Sequence, residues 1–258
     1  CEGDRASAGQ RVALALAGKV SQQQIERGDW LVTPNGPPLS QRLDVDVTLL
    51  GSAPFALKHM APVKLYIGAK RRAARLAHID RTEQPLRPGE SCLAQLILDD
   101  PISGTWGEPI LIQDHAETLV LGGGKVLDPE GPKFGKSRND RLHWLRALQI
   151  SDAKSALTQL LHGEHTVDLS RFWRNRNYPQ VPESLFPSDE VRIFEREGNI
   201  WAVTEKRWQS ATQWLADYIN RWHREQPQSL GVKMTSLNKA LAGHFDLTLG
   251  LAAADALL

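Results

Sequence analysis

"LVLGGGKVLDP", residues 119–129, holds three consecutive glycines followed by a lysine, and its reading decides the fold. A phosphate loop of the Walker type needs G-x-x-x-x-G-K-[ST], with backbone amides around the phosphates and a hydroxyl on the magnesium ion. Here Lys125 is followed by Val126, so that hydroxyl is missing. The run then passes into Asp128 and Pro129 instead of opening a helix whose N-terminus faces an anion. The glycines therefore read as part of a strand, where the absence of Cβ lets neighbouring backbones approach closely.

Everything upstream of this stretch has the period of β-structure. "RVALALAG", "LDVDVTLL", "VKLYIGAK", "CLAQLILDD", "EPILIQD" and "ETLVLGGGKVL" are short, mostly alternating runs separated by punctuation such as "TPNGPP", "LRPGES" and "PISGTWGEP". Such spacing points to a barrel or a sandwich. A Gly/Pro/Lys-rich linker is expected over 129–139, and the pattern beyond it is helical. Leu142, Leu145 and Leu148 recur at helical spacing beside Trp144. A second helix is predicted with Ser151 as N-cap and Gly163 as stop, and a third within "TVDLSRFWRNRN". Two strands turning through Glu197, Gly198 and Asn199 follow, and three helices before a hairpin is the order of a winged helix. A connecting helix over 205–226 carries Trp208, Leu215, Ile219 and Trp222 on one face, and Pro227 ends it. Residues 227–258 read as the start of a second, truncated winged helix whose Leu237, Leu241 and Phe245 lack covering strands.

Composition bounds the function classes. The 258 residues hold 31 Lys and Arg against 30 Asp and Glu, so a net charge of +1 makes any basic footprint local. Cys1 and Cys92 make no disulfide framework and no C-x-x-C pair, which fits a reducing cytoplasm. No apolar run approaches ~20 residues, so no membrane span is expected. The eight histidines form no H-x-x-x-H or H-E-x-x-H pair and no G-x-S-x-G elbow appears, so neither a metal site nor a hydrolytic site is expected. The chain starts with Cys and ends on "LAAADALL" without a stop signal, and reads as a section of something longer.

The order of parts resembles one family. "AGQRVALALAGKVSQQQIERGDWL", residues 8–31, is similar to the closing strands of the second domain of translational GTPases, with a "G-x-x-V-x-L-x-L-x-G" strand before an "I-x-R-G" turn. "MAPVKLYIGAKRRAARL", "LRPGESCLAQLILDDPI" and "LVLGGGKVLDP" resemble their third barrel domain. Winged helices directly after that barrel narrow the resemblance to SelB, the selenocysteine-specific elongation factors. The fold implied is multi-domain: all-β barrels of the translation-factor type followed by α+β winged-helix modules. The end of the second domain would occupy 1–36, the third barrel 37–128 and the first winged helix 140–204. The triple glycine would lie in the strand that closes the third barrel.

The resemblance implies delivery of selenocysteinyl-tRNA to the ribosome by a cytoplasmic, monomeric factor. GTP and magnesium would sit in a domain absent from this chain, and a SECIS mRNA hairpin would bind winged helices also absent from it. The family's "G-D-R-F-x-L-R-D" strand reads "GEPILIQD" here, with Pro109 and Gln113 at the two arginine positions, so no contact of those arginines carries over. The arginine after Gly-Gln, Arg11, matches a basic pocket for the aminoacyl end of the tRNA. A selenol is mostly ionised at neutral pH and a serine hydroxyl is not, so a fixed guanidinium favours the selenolate by ~1.5–3 kcal/mol. The competing assignment pairs Arg11 with Asp29.

Two basic runs are candidate RNA contacts. Lys70, Arg71, Arg72 and Arg75 lie on one predicted strand, either touching RNA phosphates or solvating an edge. Arg171, Arg174 and Arg176 lie in or just after the third helix, either facing solvent or touching tRNA or ribosomal RNA, with Phe172 and Trp173 assigned to the core. From a different class, a DNA-binding winged-helix regulator with a β-rich sensing domain fits the same element order, as does an architectural spacer.

Overall fold

The triple glycine lies in the strand that closes a barrel. The computed structural model describes residues 5–7, 9–15, 25–34, 36–81, 84–133, 138–163, 165–178, 181, 190–229 and 231–256. Six antiparallel strands, β1 (Ser40–Leu49), β2 (Ala61–Ile67), β3 (Lys70–His78), β4 (Ser91–Ile102), β5 (Pro109–Asp114) and β6 (Val120–Asp128), run in the order β1-β4-β3-β2-β5-β6, and β6 pairs back onto β1. A Cβ on Gly122 would overlap the Thr48 carbonyl, and one on Gly124 the Asp46 carbonyl, both in β1. A Cβ on Gly123 would sit 2.7 Å from the Ile110 carbonyl of β5. Strand β6 therefore closes the ring only because it lacks side chains there.

The alternation of the strands fills the interior. Val63, Leu65 and Ile67 of β2 point inward between Pro62, Lys64 and Tyr66. With Leu43, Leu76, Leu96, Ile112 and Leu121 they form a fully buried core. Each such side chain contributes about 1.5–3 kcal/mol of burial.

The second half comprises α1 (Arg138–Leu148), α2 (Ala153–His162), β7 (Val167–Asp168), α3 (Leu169–Asn175), β8 (Val191–Arg196), β9 (Asn199–Thr204), α4 (Glu205–Glu225), α5 (Met234–Leu241) and α6 (Leu247–Asp255). The β8–β9 turn has positive φ at Glu197 (52°) and Gly198 (75°), the pattern of a type I′ hairpin. Strand β7, two residues long and unanticipated because it is too short to show a period, completes the sheet β7-β9-β8.

Four expectations need correction. The N-cap of α2 is Asp152, not Ser151: its carboxylate accepts from both the backbone N–H and the hydroxyl of Ser155, at 2.8 and 2.7 Å. The first residues of the expected linker are stitched to the barrel. Gly131 donates its N–H to the Arg42 carbonyl (3.0 Å), the Pro132 carbonyl accepts from Gln95 (3.2 Å), and Pro129 is buried. Residues 134–137 of that expectation lie outside the described residues.

The strand expected over "RVALALAG" is not formed at 11–15, where Val12 and Leu14 are exposed; residues 16–18 lie outside the described ones. The apolar face of α5 is not left uncovered. Leu237 and Leu241 are buried against Leu215 of α4, with Trp214, Tyr218 and Ile219 packed around them. Phe245, partly buried, packs between that cluster and the one around Trp208, Ala211 and Leu249.

A candidate functional site at the joint between barrel and helices

The structure separates the basic residues of β3. Lys70 reaches Asp29 at 2.5 Å and Glu26 at 3.7 Å, and its hydrogen bond to Asp29 holds that carboxyl below the usual range. Arg71 pairs with Glu117 yet keeps 57% of its side chain exposed. Arg72 donates to the Arg71 carbonyl at 2.9 Å, and Arg75 faces solvent from the outer side of the strand. Exposed pairs of this kind add about 0–1 kcal/mol each, so carboxylates moderate this patch without fixing it.

Arg11 is exposed on a segment without regular secondary structure. Asp29, its expected partner, instead binds Lys70 and accepts from the Glu26 N–H at 2.7 Å. The thiol of Cys92 is buried and pushed up to about 12 by that burial, which leaves it unreactive. Among the described residues no group of three or more His, Cys, Asp or Glu is placed to hold a metal ion.

The arginines of α3 turn towards the barrel, which corrects their expected solvent exposure. Asp128 of β6, which Arg171 meets, belongs to a row across three strands: Asp128 and Gln95 of β4 both lie opposite Asp44 of β1. This row sits on the outer face of the barrel, the position of a solvated polar side chain in an alternating strand. Helix α1 covers it. Arg141 donates through Nε to Asp44 at 2.7 Å, and through Nη2 to both Asp44 and Asp128, the latter at 2.8 Å.

Arg171 of α3 approaches from the other side, its Nη2 within 3.0 and 2.9 Å of the two Asp128 oxygens and 2.7 Å of the Glu130 carbonyl. Arg174 bonds the Glu130 carboxylate at 2.7 Å. Gln149 donates to Asp46 at 2.7 Å, one step further along β1.

Burial and charge oppose one another here. Burial works to raise the Asp128 carboxyl, but Arg171 and Arg141 outweigh it and hold it below its ordinary value. Asp44 goes the other way: burial raises it, with Arg141 and Gln95 only partly compensating. Two adjacent buried carboxylates would repel, and Arg141 between them makes the row tolerable.

Arg176 fixes the second half of the joint. Its guanidinium lies 3.7 Å from the ring centre of Trp106 and 4.7 Å from that of Phe172, and donates to the Ile150 and Ser151 carbonyls. Burial pulls it down to about 10, so it stays charged at neutral pH. The Trp106 indole donates to the Leu148 carbonyl at 2.7 Å, tying the β4–β5 connection to the end of α1. Leu93 and Leu127, on the outer barrel face, join Leu145, Leu148 and Phe172 in one apolar cluster.

Sequence reasoning missed Asp44, Asp128, Arg141, Glu130 and Trp106. The available signal was "LDVDVTLL": two aspartates on one face of a strand are unfavourable unless a cation covers them.

Residues 42–133 match the SelB family described as the selenocysteine-specific elongation factor beta-barrel domain. That span takes in the whole Asp44–Asp128 row and the stitched segment after it. The chain is a relative of the SelB elongation factors. It is 27% identical over 249 residues to the selenocysteine-specific elongation factor of Haemophilus influenzae, covering 92% of this chain and 38% of the relative. The Desulfomicrobium baculatum factor is 31% identical over 239 residues (90% and 37%), and the Escherichia coli factor 28% over 229 residues (87% and 34%).

The chain thus spans a little over a third of the length of the SelB proteins it matches. A crystal structure of a bacterial selenocysteine-specific elongation factor, EF-Sec, shares the fold with a TM-score of 0.58 at 17% identity, over 92% of this chain and 35% of that one. No described helix is long and apolar enough to cross a membrane.

Proposed function

We propose that this chain is the central part of a cytoplasmic factor that delivers selenocysteinyl-tRNA to the ribosome. Its barrel would contribute tRNA-binding surface, and its helical half would lead to the arm that holds a SECIS mRNA hairpin. The carrying observation is similarity over about nine-tenths of the chain, and so over barrel, joint and helices together, to proteins described as selenocysteine-specific elongation factors. GTP and magnesium belong, in this proposal, to a region outside the chain, and its own residues bind and position without catalysing a step.

The order α1-α2-β7-α3-β8-β9 supports reading residues 140–204 as a winged helix. Its third helix differs in use from a groove-reading helix, since Arg171 and Arg174 are committed to Asp128 and Glu130. We therefore assign this module to connection. The ion pairs make it a firm extension of the barrel, so that a load on the distal arm is felt at the tRNA-binding end.

Exposed Arg75 and Arg71 of β3 are the RNA-contact positions that remain open, and Arg11 is the proposed partner of the selenolate. Titration of the chain with selenocysteinyl-tRNA, seryl-tRNA and a DNA duplex tests the proposal. Salt-dependent binding that ranks aminoacylated tRNA above DNA is expected. Sequence-specific preference for the duplex would reject it.

A further inference from the structure

Two hydrogen bonds fasten the end of the β1–β2 connection to β3. Met60 donates its N–H to the Leu76 carbonyl at 2.8 Å, and His78, the last residue of β3, donates its backbone N–H to Nδ1 of His59 at 3.1 Å. The second bond needs a bare lone pair on that nitrogen. A proton on Nδ1 sets a donor against a donor, and His59, exposed at the surface, is open to protons from solvent. Met60, next in the chain, is held at a φ of 62°, a left-handed conformation that residues with side chains rarely take. The fastened state therefore carries local strain that release would relieve.

The His78 ring opposes the same proton. It is 4% exposed, neither ring nitrogen has a hydrogen-bond partner, and it meets the His59 ring edge-on with 5.8 Å between centres. An imidazolium there is a buried cation without a partner. Burial first, then His59 and Arg81, hold the ring below its ordinary 6.5, against the pull of Asp80. Strand β4 places Ala94 opposite His78, and Glu90, just before β4, is taken by Arg81 at 2.6 Å. Lys58 beside His59 is exposed, and Arg138 of α1 donates to the neighbouring Ile79 carbonyl at 2.6 Å.

We infer that His59 and His78 form an acid-released latch: with both imidazoles neutral the connection is fastened to β3, and a proton on the pair frees residues 58–60. Leu57, buried and bonded in both directions to Leu86, stays anchored and limits the opening to that end. The neutral His78 ring contributes its full stability above 6.5, and this is lost as pH falls from 6.5 through the folded value. The latch does not require the tRNA-delivery role.

The test compares hydrogen-exchange protection of the His78 amide in the whole chain at about pH 7.5 and about pH 5, with each rate referred to that of an unstructured amide at the same pH. Protection should fall roughly five- to tenfold in acid, while that of Leu65, in the middle of β2, stays unchanged. The fall should track the titration of the His59 or His78 ring followed by NMR. His59→Asn, whose side-chain oxygen accepts a hydrogen bond and takes no proton in this range, should abolish the pH dependence. Equal protection of His78 at both pH values overturns the inference, as does a fall shared by Leu65 or one that tracks neither ring. So does a His59→Asn variant that loses protection in acid as the parent does.

Discussion

Arg171, in the first turn of α3, donates to both carboxylate oxygens of Asp128, the last residue of β6, so a helix of the second half holds the closing strand of the barrel. Asp128 also takes Arg141 of α1. One carboxylate, 3% exposed, thus receives guanidiniums from two helices. Removing one partner of such a buried group leaves uncompensated charge, which costs far more than the pair adds over an apolar replacement.

Asp128→Asn should therefore destabilise the chain by about 3–5 kcal/mol in urea unfolding. Replacing Asp44, Asp128, Arg141 and Arg171 together with apolar residues of similar volume should cost much less. A single variant within about 0.5 kcal/mol of the parent would show that the joint does not depend on Asp128.

The two aspartates should respond oppositely to acid. Asp128 is held below its ordinary 3.8, so its contribution is present above pH 3.8 and lost as pH falls through its folded value. Asp44 is raised above 3.8 by burial, so the fold gains as it protonates, and stability declines as pH rises from 3.8 through its folded value. Urea midpoints against pH should show a flatter acid limb below 3.8 for Asp128→Asn. Asp44→Asn should lose the decline above 3.8.

Gly124→Ala should weaken barrel closure by roughly 1–3 kcal/mol or more, because its Cβ would overlap the Asp46 carbonyl of a paired strand. Gly51→Ala is the control, since nothing lies within 4 Å of a Cβ there. Equal unfolding midpoints for the two variants would contradict the close approach of β6 and β1.

The terminal helices should be protected. Leu241 is fully buried against α4, so hydrogen exchange of α5 should be slow in a monomeric sample. Leu241→Ala should speed it and cost about 2–5 kcal/mol. Exchange at the rate of an exposed loop would show that α5 does not pack as described.

The barrel was legible because period and punctuation agree along "LDVDVTLL" and "CLAQLILDD", and because three glycines without a hydroxyl after the lysine leave a strand as the consistent reading. The long helix was legible from Trp208 and Leu215 on one face and Pro227 at its end, while its cap, Thr204, was not picked out. The joint was not. Alternation assigns Asp44 to solvent, and only tertiary structure places Arg141 over it, 97 residues away. Arg171, Arg174 and Arg176 share that cause: local sequence gives a basic helix, while the direction it faces is set by Asp128, Glu130 and Trp106 on the barrel. The covering of Leu237 and Leu241 was missed because the partner face belongs to α4, not to strands that would follow.

The most direct measurement places this chain in a working factor. The matching third of the Escherichia coli selenocysteine-specific elongation factor is replaced by this chain, and selenium incorporation into protein is followed in cells lacking their own factor. Incorporation above the empty-vector level is expected, with Arg11→Ala lowering binding of selenocysteinyl-tRNA roughly tenfold or more while leaving seryl-tRNA binding nearly unchanged. A folded, GTP-binding chimera that incorporates no selenium and does not distinguish the two aminoacylated tRNAs would contradict the proposed role.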